Sequence, residues 1–364
     1  MSVDHAHVSL SWPTVTGAAT YRVTRNGLLV GTTSRTTYTD AQLWPQSSYD
    51  YRVEAISTSG AVVSTAAVAG VTLPLPAAGF PSPFAATSLW NRPLPANPTL
   101  HPNNAAIMSN WVSKYIRTPN MTLHSWGVAV AETEPSNRAY NVPCTMYSCT
   151  LGAYGAFRIP PSAKQDPAGD GHLAVYDPVA KREWGMWEAG YSASADAWTS
   201  SAGAAVSLDG DGIAPKGKAS SNAANFPLLG GLIRPEEILQ GRIDHALVFG
   251  QPSIAPGPPV CPATANVPTG SDPLSLREGT QLQLDPTINV DALALPAWQK
   301  MVAKALQKYG MYLRDNSGTL AIYAENPISR GYDAWQKVGL SGGSVGFSSA
   351  FPWGKMRVIY APDC

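Results

Sequence analysis

Apolar and polar residues alternate in short runs along most of this chain. Val8 to Trp12, Tyr21 to Arg25, Leu29 to Thr33, Tyr49 to Ala55 and Val68 to Leu73 follow one another, with turn residues such as Asn26-Gly27 between them. A period of two predicts half-buried strands. Beyond residue 84 the pattern returns at Thr122 to Thr133, Leu173 to Trp187, Arg242 to Phe249, Gly279 to Asp285, Met311 to Glu325 and Met356 to Tyr360. Two stretches carry the 3.6 period of a helix instead. Asn103 to Tyr115 has apolar residues at 106, 107, 111, 112 and 115. Pro296 to Tyr309 aligns Trp298, Met301, Val302, Ala305, Leu306 and Tyr309 in one stripe, and Gly310 stops it. Pro235-Glu236-Glu237 has the composition of a first helical turn. The expected fold is mostly β with a few helices. A small β-sandwich over residues 1–73 and a larger β-sandwich or jelly-roll-like domain over 84–364 are joined by a Pro-rich linker at 74–83.

The stretch from Gly169 to Gly250 concentrates polar, aromatic and turn residues, and it opens on Gly-Asp-Gly-His. Asp177-Pro-Val-Ala-Lys-Arg182 has turn composition, which predicts a hairpin. If Asp177 pairs with Arg182, Leu173, Val175, Trp184 and Met186 share a core face. His172, Tyr176, Glu183 and Trp187 then share the other, around small Ala174 and Gly185, as a shallow trough suited to a sugar ring. A second hairpin is expected around Asp315-Asn-Ser-Gly318, with Tyr312, Arg314, Tyr323 and Glu325 on its outer face.

Composition narrows the class. The chain has 364 residues, so two domains are expected. Lys plus Arg and Asp plus Glu number 25 each, and a net charge of zero argues against nucleic acid as a partner. Charged residues make up only 14%, against about 25% in ordinary globular proteins. With 32 Gly, 32 Pro, 11 Trp and 15 Tyr, the profile is that of a loop-rich extracellular β protein. No apolar run is long enough for a membrane span, and a secreted chain would have lost its leader. Four cysteines allow three pairings. We expect 144–149, which is local, and 261–364, which would tie down a terminus.

Residues 4–73 resemble a fibronectin type III domain. Trp12 stands at the second-strand position, and Leu43, Pro45 and Tyr49 match that family's leucine, proline and corner tyrosine ahead of the strand Tyr51 to Ala55. The resemblance implies a spacer or adhesion module without catalysis of its own. Residues 84–361 look like secreted actinobacterial proteins of unassigned function that share Gly-Asp-Gly-His, Gly-Leu-Ile-Arg-Pro-Glu-Glu and Ile-Asp-His-Ala-Leu. That likeness implies architecture and an extracellular location only.

We expect neither nucleotide binding nor zincin proteolysis nor elbow-serine hydrolysis. The reading that remains is a secreted, polysaccharide-acting protein, either a lyase or a glycoside hydrolase. Its catalytic group would be His172, Tyr176 and Glu183. Trp187, Arg182, Arg234, Tyr312, Tyr323 and Glu325 would bind the sugar or its acidic substituents. Hydrolysis would instead need two carboxylates, which no spacing selects. No cofactor is expected unless Asp209 and Asp211 hold calcium. The competing class is a non-catalytic surface, adhesion or filament protein capable of self-association.

Overall fold

The computed structural model describes every residue except Ala96. Residues 2–71 form two facing antiparallel sheets. One joins Ser2–Val3, Val8–Ser11 and Thr37–Asp40; the other orders Leu28–Thr33, Thr20–Arg25, Ser48–Ile56 and Val62–Val71. Alternation sends Val8, Leu10, Tyr21, Val23, Tyr51 and Val53 into the space between them. Tyr49 closes one corner, its hydroxyl accepting the Trp44 N–H at 2.8 Å.

This unit is seated on the rest of the chain. The Gln42 side chain donates to the Val130 carbonyl at 3.1 Å and accepts the Glu132 N–H at 2.9 Å. Tyr332 donates to the Gln42 carbonyl at 2.8 Å. Arg25, held by both oxygens of Asp40 at 3.0 Å, donates to the Arg330 carbonyl. The Pro-rich segment is pinned as well, with Arg242 donating to the Ala78 carbonyl at 2.7 Å.

Beyond it the chain builds two packed, mixed sheets. The five-stranded sheet orders Ala202–Ser207, Arg182–Trp187, Leu173–Asp177, Val128–Glu132 and Glu325–Asn326. The seven-stranded sheet orders Ser344–Gly346, Asn120–Thr122, Ala321–Ile322, Leu247–Gln251, Met311–Asn316, Gln281–Leu284 and Met356–Val358. Helices α1 (Asn104–Tyr115) and α3 (Ala297–Lys308) cover the outside of the larger sheet, and the six-residue α2 is Pro235–Gln240. No closed barrel forms among the described residues.

Three cores result, and the strand period explains them. In Met311–Asn316, Met311 and Leu313 face the helices and Tyr312 faces the other sheet. In Leu173–Asp177, Leu173 and Val175 face a cover made by Val142, Leu151, Phe157 and Ile159, while Ala174 faces between the sheets. The first hairpin has the expected register, with Leu173 opposite Met186, Val175 opposite Trp184 and Asp177 opposite Arg182. Both expected disulfides, Cys144–Cys149 and Cys261–Cys364, are present.

Two expectations are corrected. Met311–Asn316 and Ala321–Ile322 do not pair as a hairpin. The buried apolar strand Leu247–Gln251 lies between them, parallel to the first and antiparallel to the second. Thr122 to Thr133 is not one strand. The chain leaves the seven-stranded sheet at Thr122 and enters the five-stranded sheet at Val128. Residues 321–326 make the same step beside it, paired in parallel on both sheets. Trp126 sits in the bend, with φ +59 and 55% of its surface exposed.

Candidate functional site

The polar face expected to line an open trough is instead the inner face of the five-stranded sheet. His172 and Glu183 are buried, and so are Tyr312, Tyr323 and Glu325 from the second segment. The cause is the second sheet together with residues 221–232, which cover that face. Alternation separates two faces but does not say which one meets water.

Each buried polar group has a local duty. Glu183 accepts the N–H groups of Leu228 at 2.6 Å and Leu229 at 3.0 Å, and burial pushes its carboxyl up to about 7. His172 shares a hydrogen bond with the Ser221 carbonyl through Nε2 at 2.8 Å; burial, and then the Arg314 charge, lower it to about 4, so the ring is neutral and Nε2 is the donor. Tyr176 is half-buried and raised to about 12 by burial. It follows His172 by four positions, about 13 Å along extended chain, too far for the two to exchange a proton on one substrate. Arg182 lies 3.6 Å over the Tyr154 ring. Tyr312 packs edge-on to Trp90 at 5.7 Å.

Glu325 accepts from Arg330 at 2.6 and 2.8 Å and also from Arg234. Burial opposes its charge, but the two guanidinium groups hold its carboxyl below the ordinary range. Arg330 also pairs with Glu236, and His245 with Glu237 at 2.9 Å. This ion cluster lies beside the seat of the first unit; Glu325 is buried within it, while Arg234 also lines a separate small cavity with Phe80, Asp244 and His245. The carboxylate Asp211 accepts the Leu89 N–H at 2.8 Å and so serves a turn. No group of three or more His, Cys, Asp or Glu side chains suited to a metal occurs among the described residues. A Gly-x-Ser-x-Gly spacing does occur at Gly339 to Gly343, but Ser341 lies in an exposed loop leading to a short strand rather than between a strand and a helix.

Two cavities open at the edge where the chain steps between the sheets. A cavity of about 710 Å³ is lined by Trp126, Asp170, Asn316 and Tyr323, among others. A second of about 380 Å³ is lined by Tyr147, Trp187, Asp315 and again Asp170 and Asn316. The two meet at Asp170 and Asn316 and form one cleft. Of the residues expected to act on or bind a sugar, Tyr323 lines the larger cavity and Trp187 the smaller; the others line neither.

Local geometry delivers each group. Asp170 sits between two glycines. Gly171 takes φ +48, and a Cβ there would meet the Glu188 backbone at 3.2 Å. Gly169 lies beneath the Trp126 ring, 3.3 Å from a would-be Cβ. The left-handed turn at Trp126 is unusual for an aromatic residue. Buried Asp166 holds it by accepting the N–H groups of Trp126, Gly127 and Ala168 and the Asn326 amide. The cost of that conformation is offset by the Asp166 network, and the ring is left in solvent.

Trp187 donates to Asp170 Oδ1 at 3.4 Å, and the Tyr147 ring lies 6.2 Å away, presented by the loop that Cys144–Cys149 closes. Asp315 arrives through a β-bulge. Leu313 pairs with Phe249, but Gly250 pairs with Asp315, which leaves Arg314 as the extra residue. The bulge turns two consecutive side chains toward the five-stranded sheet. Arg314 lies fully buried, 3.8 Å over the Tyr323 ring, with Nε and Nη2 unbonded. Asp315 accepts the Asn316 N–H at 2.9 Å. Burial pushes its carboxyl up to about 6, the Arg314 charge pulling it down and the Asp170 charge raising it.

Comparison with known proteins adds little length. No family model matches the chain. It is 40% identical over 75 residues to an alpha-amylase of Niallia circulans, covering 20% of this chain and 6% of that one. It is 44% identical over 66 residues to a poly(3-hydroxybutyrate) depolymerase of Ralstonia pickettii, covering 18% and 14%. The chain thus spans a small part of these relatives. A Yersinia enterocolitica family 28 exopolygalacturonase structure aligns over 45% of this chain and 36% of its own at 12% identity, with a TM-score of 0.19, too low to carry an argument.

Proposed function

We propose that this protein acts on a polysaccharide held in the cleft, and that Asp170 and Asp315 are the carboxyl pair that hydrolyses its glycosidic bonds. The observation that carries the reading is two carboxyl groups on the wall of one open cavity with Trp187 and Tyr147, one of which, Asp170, also lines the adjoining cavity with Trp126. Glycoside hydrolysis needs one carboxyl protonated near neutral pH and a second facing it. Asp315, raised to about 6, is the acid that protonates the leaving oxygen. Asp170 is its partner, steered by the Trp187 N–H. The exposed rings offer faces on which sugar C–H groups stack.

A lyase reading has less support. Its His172, Tyr176 and Arg182 are dispersed along the sheet, and His172 lies buried against Ser221. Two disulfides support an extracellular setting. Residues 1–73 are proposed as a fibronectin type III-like module, here fastened to the enzyme unit. The two relatives, an alpha-amylase and a poly(3-hydroxybutyrate) depolymerase, are compatible with action on a polymer, over the short stretches they share.

The test is a panel of polysaccharides followed by reducing-end release and by absorbance of unsaturated products. Hydrolysis by the native protein, lost in Asp170→Asn and Asp315→Asn while both remain folded, is the expected result. Unsaturated products, or full activity in either variant, would refute it. A second reading, self-association, rests on the edge strand Val62–Val71, ten residues without a charge and nearly all exposed. Sedimentation that shows the mass of a single chain at all concentrations would exclude it.

A further inference from the structure

Resting on the reading of Asp170 and Asp315 as the hydrolytic pair, we infer that the cleft takes an uncharged polysaccharide and cuts it internally. Two features point there. The first is the charge of the lining. Apart from Asp170, Asp315 and the rim residue Lys218, the walls are neutral amides, hydroxyls, small residues and aromatic rings. Asn120 and Asn316 supply amides that hydrogen-bond hydroxyls in either direction. A uronate or sulfated chain would bring a negative charge at every few sugars against two carboxyl groups. The nearest guanidinium, Arg314, is fully buried behind the wall and out of reach of a ligand. Like charges brought together at low dielectric cost several kcal/mol, and one solvated lysine at the rim does not offset that.

The second feature is the position of Asp170, with Asp315 beside it on the wall of the smaller cavity. Asp170 lines both cavities, about 710 Å³ on one side and about 380 Å³ on the other. Each side has its own aromatic surface, Trp126 on the larger and Trp187 with Tyr147 on the smaller. A cleft that ended at the carboxyl pair would release one terminal unit at a time. A cleft with room and stacking surfaces on both sides binds the chain across the bond to be broken. In the reaction, the bond from the anomeric carbon to the leaving oxygen breaks as Asp315 gives that oxygen its proton, water forms the new bond to the anomeric carbon, and Asp170 takes the proton that water loses, which returns through solvent to Asp315.

The experiment uses the full chain against matched neutral and uronate polysaccharides, with product sizes followed from the earliest time points. Early appearance of products of mixed length from a neutral polymer, with a rapid fall in viscosity, is expected. Trp126→Ala and Trp187→Ala should each raise KM several-fold and shift the product lengths in different ways, because they lie on opposite sides of the cut. Hydrolysis confined to a uronate polymer would overturn the substrate class while leaving the proposed function standing. Release of a single small product from the outset would overturn internal cleavage alone. Hydrolysis of no glycan by native protein, in a preparation whose near-ultraviolet spectrum shows it folded, would overturn the proposed function and this inference with it.

Discussion

Replacing Asp315 with asparagine should lower activity and raise stability in one step. The carboxyl is raised from 3.8 to about 6, first because burial disfavours its charge. A raised acid binds its proton more tightly in the folded than in the unfolded chain. Stability therefore falls as pH climbs from the unfolded value to the folded one, and is level above that. Two pKa units are worth about 3 kcal/mol at most, and the half-buried position of Asp315 reduces this to roughly 1–2 kcal/mol. Asparagine keeps an oxygen for the Asn316 N–H, gives up only the long 3.4 Å bond from the Ala223 N–H, and has no charge to bury. Above about pH 7 the variant should be the more stable protein by that amount, and near pH 4 the two should be equal. Turnover should fall by roughly 10²–10⁴, the usual worth of a general acid. The assays are urea unfolding across pH, with reducing-end release on the substrate found by the panel. A variant equally destabilised at both pH values would show that Asp315 is a packing group and not an acid kept protonated by its surroundings.

Other outcomes follow from the same structure. Glu278 is fully buried, has Oε1 unbonded and is raised by burial to about 8, so the native protein should lose stability between about pH 4.5 and pH 8. Glu278→Gln should flatten that slope, by up to about 5 kcal/mol as an upper bound; superimposable pH–stability curves would contradict it. Asp166→Ala leaves three backbone N–H groups without their acceptor and should cost about 3–5 kcal/mol, with a change in tryptophan emission as the Trp126 turn relaxes. Replacing Cys261 and Cys364 with serine should cost ~2–4 kcal/mol, because the bridge spans 103 positions. Replacing Cys144 and Cys149, only 5 apart, should weaken glycan binding more than global stability, since that loop carries Tyr147.

A good part of the fold was legible in the residue pattern. Alternation in Leu173–Asp177 and Arg182–Trp187, with a turn between them, is sufficient for the hairpin and its register. The stripes at 107, 111 and 115 and at 298, 302 and 306 are sufficient for α1 and α3, because one apolar face at a helical period must find a core. Which face of a strand meets water was not legible. His172, Glu183 and Tyr323 alternate with apolar neighbours as surface residues do, yet a second sheet closes over them. That covering comes from segments dozens of positions away, and local period carries no record of it.

The carboxyl pair was hidden for the same reason. Asp170 and Asp315 lie in stretches that read as ordinary turns, 145 positions apart. The flanking glycines at 169 and 171 were the one local signal for Asp170, since they allow a ring above and a left-handed turn below. Asp315 had none. Its direction depends on a bulge opposite Gly250, and a bulge exists only once the strand finds its partner. The sequence by itself determined the elements, their apolar faces and the chemistry available. Tertiary structure decided which polar face was sealed, which opened as a cleft and which two acids met there, because those outcomes depend on contacts between segments distant along the chain.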